Sequence, residues 1–300
     1  MNSTDTALAR NALAETAELL EKYLLKVLPK ADGLEEQVVE AMQYALMAGG
    51  KRLRPFLVMS GAKLFSVSEQ SALQVAAAVE CAHTYSLIHD DLPCMDDDDM
   101  RRGQPSVHKK FDEATAVLAG DALLTLAFAI LADEKTHADP RVRVDLISAF
   151  ARALGTHGMV GGQMFDLAAE NRELDQSAIT RMQNMKTGAL IVFSCEAGAI
   201  LGKADDRRRN ALRGYAHDLG LAFQIVDDLL DREGDSEELG KTAGKDEEAG
   251  KATLVSLLGV ERARTQAEML IRQAIEHLEI FAEKADVLRS MAQFVIHRAS

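Results

Sequence analysis

The sequence predicts an all-α protein, a single bundle of ten or so helices. Three observations carry this: a composition rich in helix formers, an apolar repeat of helical period, and prolines that fall only between the repeats. Ala, Leu, Met, Glu and Gln abound, Trp is absent and Tyr occurs four times. Ala and the straight-chain residues lose little freedom in a helix. Hydrophobic residues fill 47% of the 300 positions, a length that suits one large domain or two small ones and can bury a sizeable core. Sustained apolar–polar alternation, the mark of strands, is missing.

In chain order, the helical period predicts helices over 5–28 and 35–48, with Pro29 closing the first. A third is expected over 55–66. Gly49-Gly50 suits the stop before it and Pro55 suits a first helical position, where its missing N–H costs nothing. The fourth, 69–92, should break before Pro93, because proline disfavours the α conformation in the preceding residue. Helices over 112–134, 141–157 and 159–169 follow, with Pro105 and Pro140 in the connections. Segments 69–92 and 175–202 are apolar over more than one stripe, which places them at the centre of a bundle. Helices over 206–232, 250–284 and 286–298 complete the chain. No stretch resembles an interdomain linker, so residues 1–300 are expected to form one domain.

The formal net charge is −13, which makes nucleic acid and anionic membrane poor general partners. A phosphorylated ligand would need clustered Lys and Arg, or bound cations. Cys81, Cys94 and Cys195 show no paired spacing and read as buried small residues in a reducing compartment. The first twenty residues lack an apolar signal core. The longest apolar stretches, such as Ala189–Cys195, are far too short to span a bilayer. The expectation is a soluble, cytoplasmic protein with no membrane span.

Two acidic motifs carry the chemistry. In DDLPCMD, Asp90 and Asp91 fall in a last helical turn and Asp96 returns from a short loop. Carboxylates at a helix C-terminus repel one another and oppose the helix dipole. Oxygen donors without His or Cys suit Mg²⁺ or Mn²⁺. In FQIVDDLLD, Asp227 and Asp231 share a helix face with Gln224. Their flanks are apolar, and charges on a buried helix need partners or metal. Mg²⁺ prefers one or two carboxylates plus substrate phosphates, so two such motifs facing one cavity imply a diphosphate ligand.

Cationic residues complete the pattern. In GGKRLRP, Lys51 and Arg54 stand beside a helix N-terminus, where phosphate binds well. Arg101 and Arg102 follow the acidic run, and Lys186-Thr187-Gly188 interrupts an apolar helix with a lysine that has no acid adjacent in sequence. The Gly-rich stretch 240–251 holds Lys241, Lys245 and Lys251 and reads as a loop able to close on phosphates. His83 lies two turns below Asp90 on the same face, a spacing equally suited to a packed histidine. Gln163 and Asp166, three apart in GGQMFDL, mean little alone.

Taken in order, GGKRLRP, DDLPCMDDDDMRRG, GGQMFDL, KTGAL and FQIVDDLLD resemble the trans-isoprenyl diphosphate synthases, over about residues 35 to 260. The resemblance implies a bundle around a central cavity, a homodimer, and three Mg²⁺ held by Asp90, Asp96 and the second motif. It implies that Arg101, Lys186 and Lys241 hold the allylic diphosphate. Lys51, Arg54, His83 and Arg102 would hold isopentenyl diphosphate, while Thr187 and Gln224 would stabilise the allylic cation. Tyr85 and Ser86, five and four residues before Asp90, would close the prenyl pocket. An aromatic there, with the longer DDxxxxD motif, resembles the bacterial farnesyl branch of the family and implies a C15 product. A geranylgeranyl (C20) synthase, a class I terpene cyclase and an inactive subunit of a heteromeric synthase are the alternatives.

Overall fold

The structure, a computed structural model, describes residues 6–30, 32–169, 174–233 and 253–297. Among the described residues it is all-α apart from one two-stranded hairpin. The first helices are α1 (Ala7–Val27), α2 (Glu36–Met47), α3 (Leu53–Leu64) and α4 (Glu69–Asp90). The hairpin strands β1 (Met100–Arg101) and β2 (Gln104–Pro105) lead into α5 (Val107–Lys110). Then come α6 (Glu113–Ala132), α7 (Pro140–Leu154), α8 (Met159–Ala169) and α9 (Gln176–Gln183). A π-helical turn, Asn184–Gly188, joins α9 to α10 (Ala189–Leu201), and α11 (Asp206–Glu233) follows. The last elements are α12 (Leu254–Leu258), α13 (Val260–His277), a 3₁₀ segment (Glu279–Ala285) and α14 (Asp286–His297).

As expected from their all-round apolarity, α4 and α10 are the central helices. Residues 72–82 of α4 are buried without a break, and so are residues 193–201 of α10. Helix α3 lies between them, with α6 against α4, and α11 against α10 and α13. One apolar cluster gathers α2, α4, α6 and α7, and a second gathers α11, α13 and α14. Ser68 caps α4 through the Ser71 N–H, and Asp139 caps α7 directly before Pro140, satisfying donors that a helix start leaves open.

The structure corrects several boundaries. Pro55 stands at the third position of α3, not the first, and the N-cap is Arg52 at φ 47°. The segment 175–202 is interrupted by the π turn. The helix expected over 250–284 is broken at Gly259, whose φ of +79° no α-helix accommodates, and again before the 3₁₀ segment. The hairpin and α5, four residues long, were not legible from periodicity. Cys81 and Cys195 are buried, but Cys94 is exposed, because it sits in the loop that follows Pro93. Against the expectation that the longest apolar stretches are too short to span a bilayer, α6 is long and apolar enough to do so by length and composition; here it packs on α2, α4, α5 and α7.

Candidate active site

The break at the end of α4 builds the acidic wall. The Asp96 N–H donates to the Asp90 carbonyl at 2.8 Å, so the loop doubles back and brings Asp96 within electrostatic reach of Asp90. Burial pushes Asp90 up to about 6, with neighbouring Asp96 and Asp91 adding to the rise and Lys186 and Arg101 opposing it. Asp91 faces elsewhere. It is 2% exposed and is gripped by Arg101, whose Nε donates at 3.0 Å and whose Nη2 donates more closely still. Asp97 and Asp99 continue the loop, and their carboxylates lie within 4.8 Å of a His108 ring nitrogen; Lys109 pairs with Asp99 at 2.8 Å.

Opposite, the GGKRLRP turn is held by its glycines. Gly49 and Gly50 have φ of 84° and 120°, conformations that cost L-residues with a Cβ dearly. Gly50 also makes room for Arg102: a Cβ there would lie 2.5 Å from the guanidinium carbon. Arg102 donates to the Gly49 carbonyl, which ties the hairpin to this turn. Arg52 turns inward, donating to Glu80 at 2.5 Å and to the Leu46 carbonyl at 2.6 Å. That fixes the start of α3, leaves Lys51 exposed, and sends Arg54 toward His83, where its Nη1 donates to Nε2 at 3.4 Å. Burial pulls Arg54 down to about 10, with Glu80 and Asp227 opposing the fall and Arg102 adding to it. Burial, then Arg54, Arg102, Arg101 and Arg52, hold His83 well below the usual imidazole range. His83 is therefore a neutral acceptor inside a cationic cluster.

The third wall is the π turn. One extra residue per turn swings Lys186 and Thr187 out of the helical register and into the cavity. Gly162 of α8 permits the close approach, since a Cβ there would lie 2.6 Å from the Lys186 Cα. Lys186 Nζ then donates to Asp166 Oδ2 at 2.6 Å. The lysine thus has an acidic partner in space that sequence adjacency did not disclose. Gln163, on the same helix, is brought to the cavity as well, with its Nε2 buried and without a hydrogen-bond partner. Neither Gln163 nor Asp166 stood out by spacing; only the packing of α8 on the π turn selects them.

These walls enclose a cavity of about 410 Å³ lined by Arg54, His83, Tyr85, Ser86, Asp90, Gln163, Lys186 and Thr187, with Met95, Met159, Val160, Met164 and Leu167 supplying apolar surface. The lining combines charged and polar groups with a larger apolar surface, as a charged head with a hydrocarbon tail requires. Arg101 and Arg102 line a small neighbouring crevice with Thr84 and Asp91. On α11, Asp231 is buried, Asp227 and Gln224 are half-buried, and Asp227 acts electrostatically on Arg54. Lys241, Lys245 and Lys251 lie outside the described residues. Asp90 and Asp96, like Asp227 and Asp231 of the second motif, offer oxygen donors alone. That donor set fits Mg²⁺ or Mn²⁺.

A helical bundle with a cation-lined, half-apolar cavity, one acidic motif in its lining and a second within electrostatic reach of it, matches the class of enzymes that transfer prenyl groups between diphosphates. The chain belongs to the polyprenyl synthetase family, whose model matches residues 35–293. It is a prenyltransferase. It is 49% identical to the farnesyl diphosphate synthase of Escherichia coli, over 87% of this chain and 89% of that one. It is 42% identical to geranylgeranyl pyrophosphate synthase 4 of Arabidopsis thaliana, over 94% and 76%. Among solved structures, an FPP/GFPP synthase from Zymomonas mobilis superposes with a TM-score of 0.88 at 50% identity, covering 96% of this chain and 98% of that one.

Proposed function

We propose that this enzyme condenses isopentenyl diphosphate head-to-tail with dimethylallyl and then geranyl diphosphate, giving farnesyl diphosphate. The observation that carries this is that Asp90, Lys186 and Arg54 line the same cavity as Tyr85 and a set of apolar side chains. Relatives of similar identity are named for farnesyl and for geranylgeranyl products, so product length rests on the pocket. Residues 1–300 act as one domain in this reading.

Asp90 and Asp96, with Asp227 and Asp231 of α11, would hold three Mg²⁺, or Mn²⁺ in their place. When bound, these ions neutralise the allylic diphosphate as its C–O bond breaks. Lys186, Arg101 and Lys241 bind the same diphosphate and orient it. Lys51, Arg54, Arg102 and neutral His83 hold isopentenyl diphosphate with its double bond toward the allylic carbon. As the C–O electrons leave with the diphosphate, Thr187 and Gln224 turn their dipoles to the developing cation. The double bond then forms the new C–C bond. The proton is lost from the adjacent carbon to the departed diphosphate, which restores a double bond. Enclosure by Met95, Met159 and Leu167 keeps water from the cation.

A homodimer is part of the proposal. Val117 and Leu118 of the strongly apolar α6 are 41% and 53% exposed, and a second copy covering them would remove that face from water. The polypeptide acts in the cytoplasm in this reading, with free thiols. Chromatography of the products from dimethylallyl and isopentenyl diphosphates tests the function: C15 is expected, and a dominant C20 product would overturn it. Turnover of farnesyl diphosphate alone would indicate a cyclase. An inert purified homomer, supplied with Mg²⁺, would indicate a subunit of a heteromeric synthase.

A further inference from the structure

A side chain can set the length of a pocket only if it cannot swing aside. Tyr85 is 6% exposed, and its ring meets the ring of His89 edge-on, with centroids 5.6 Å apart and planes at 87°. His89 is the next residue on the same face of α4, four positions toward the acidic motif, and it lines the same cavity. His89 is itself held. Its Nε2–H donates to the Val117 carbonyl of α6 at 3.1 Å, a carbonyl whose second lone pair remains for the helix. Below the ring is Gly120, where a Cβ would lie 2.5 Å from His89 Cδ2 and 2.9 Å from Cε1. The imidazole therefore occupies a seat on α6 that only glycine leaves open.

We infer that His89 is a specificity-determining residue: seated on Gly120 and bonded to Val117, it locks the Tyr85 ring and thereby fixes product length. The inference rests on the reading in which Tyr85 closes the prenyl pocket. It assigns product length to a contact between two helices rather than to the bulk of one side chain. A ring freed from His89 can rotate about χ1 between staggered wells and leave more of the pocket open to the prenyl tail. Pressure from α6 acts the same way, since a methyl at residue 120 must displace the imidazole.

Product ratios from dimethylallyl and isopentenyl diphosphates with Mg²⁺ test this in the full-length protein. The ratio is internal to each reaction, so it reports the pocket even where total turnover falls because His89 adjoins Asp90. His89→Ala is expected to raise the C20:C15 ratio about tenfold or more. Gly120→Ala, distant in sequence from the acidic motif, is expected to raise it in the same direction. His89→Phe keeps a ring against Tyr85 and should restore C15. In a Tyr85→Ala background, His89→Ala should add nothing, because both act through one ring. If Tyr85→Ala lengthens the product while His89→Ala and Gly120→Ala leave it at C15, Tyr85 holds its own position and the inference is wrong. If Tyr85→Ala itself leaves C15, the pocket-floor reading fails first, and the inference with it.

Discussion

Lys186 and Asp166 form an ion pair of 2.6 Å that joins the π turn to α8 across the wall of the cavity. Both side chains are largely shielded, at 26% and 14% exposure. The pair holds a cation ready at the place where the proposed diphosphate lies. Lys186→Ala should lower kcat by about 10²–10³, the usual cost of losing one donor to developing charge. Asp166→Asn should cost less, about tenfold, because the lysine remains but loses its anchor. Steady-state kinetics with each substrate varied in turn would separate the two. Equal losses would show that Asp166 does more than position Lys186.

Arg52 and Glu80 are an ion pair of 2.5 Å at 0% and 1% side-chain exposure. Removing one partner leaves a buried charge, which costs about 3–5 kcal/mol, whereas an apolar pair of similar volume can be neutral. Glu80→Gln is therefore expected to lower the urea midpoint sharply, and Arg52→Met with Glu80→Leu to recover most of it. The double variant should still show a raised KM for isopentenyl diphosphate, since Arg52 fixes the start of α3. An unchanged KM would free Arg52 from that positioning part.

Gly50→Ala strains a φ of 120° and pushes on the Arg102 guanidinium. Loss of one charge-assisted hydrogen bond is worth about 1.5–3 kcal/mol, so KM for isopentenyl diphosphate should rise about 10–100-fold. KM for the allylic substrate should move little. The reverse pattern would reassign Arg102 to the allylic diphosphate.

His83 titrates well below its usual 6.5 when folded. Below about pH 6.5 the unfolded chain binds a proton that the folded protein refuses. Stability therefore falls as pH drops through that window and is flat above it, by at most about 1.4 kcal/mol per pH unit. His83→Gln lacks this site. Between pH 6.5 and 5 its stability, measured by urea unfolding, should decline less steeply than that of the parent. Parallel curves would mean His83 is not held neutral.

Chelation should abolish turnover and Mg²⁺ should restore it, while Asp90→Asn and Asp227→Asn should each lower kcat by about 10² or more. Isothermal titration with Mg²⁺ and a diphosphate ligand gives a second readout, with heats lost in both variants. Full activity in the presence of chelator would remove the metal from the proposal.

The sequence by itself determined the helical architecture and the chemical poles of the cavity. Helical period, proline placement and buried α4 and α10 are local and compositional properties, visible because each depends on neighbours three or four residues away. The two aspartate motifs and the GGKRLRP turn were visible for a similar reason, being charges written where apolar helices end. Tertiary structure decided what depends on contacts distant in sequence. The pairing of Lys186 with Asp166 needs the Gly162 approach to a π turn, which periodicity reads as an ordinary helix. The inward turn of Arg52, unlike its neighbours Lys51 and Arg54, needs Glu80 from another helix. The place of His89 needs a glycine on α6. In each case a single side chain has several local options, and a partner across the core selects one of them.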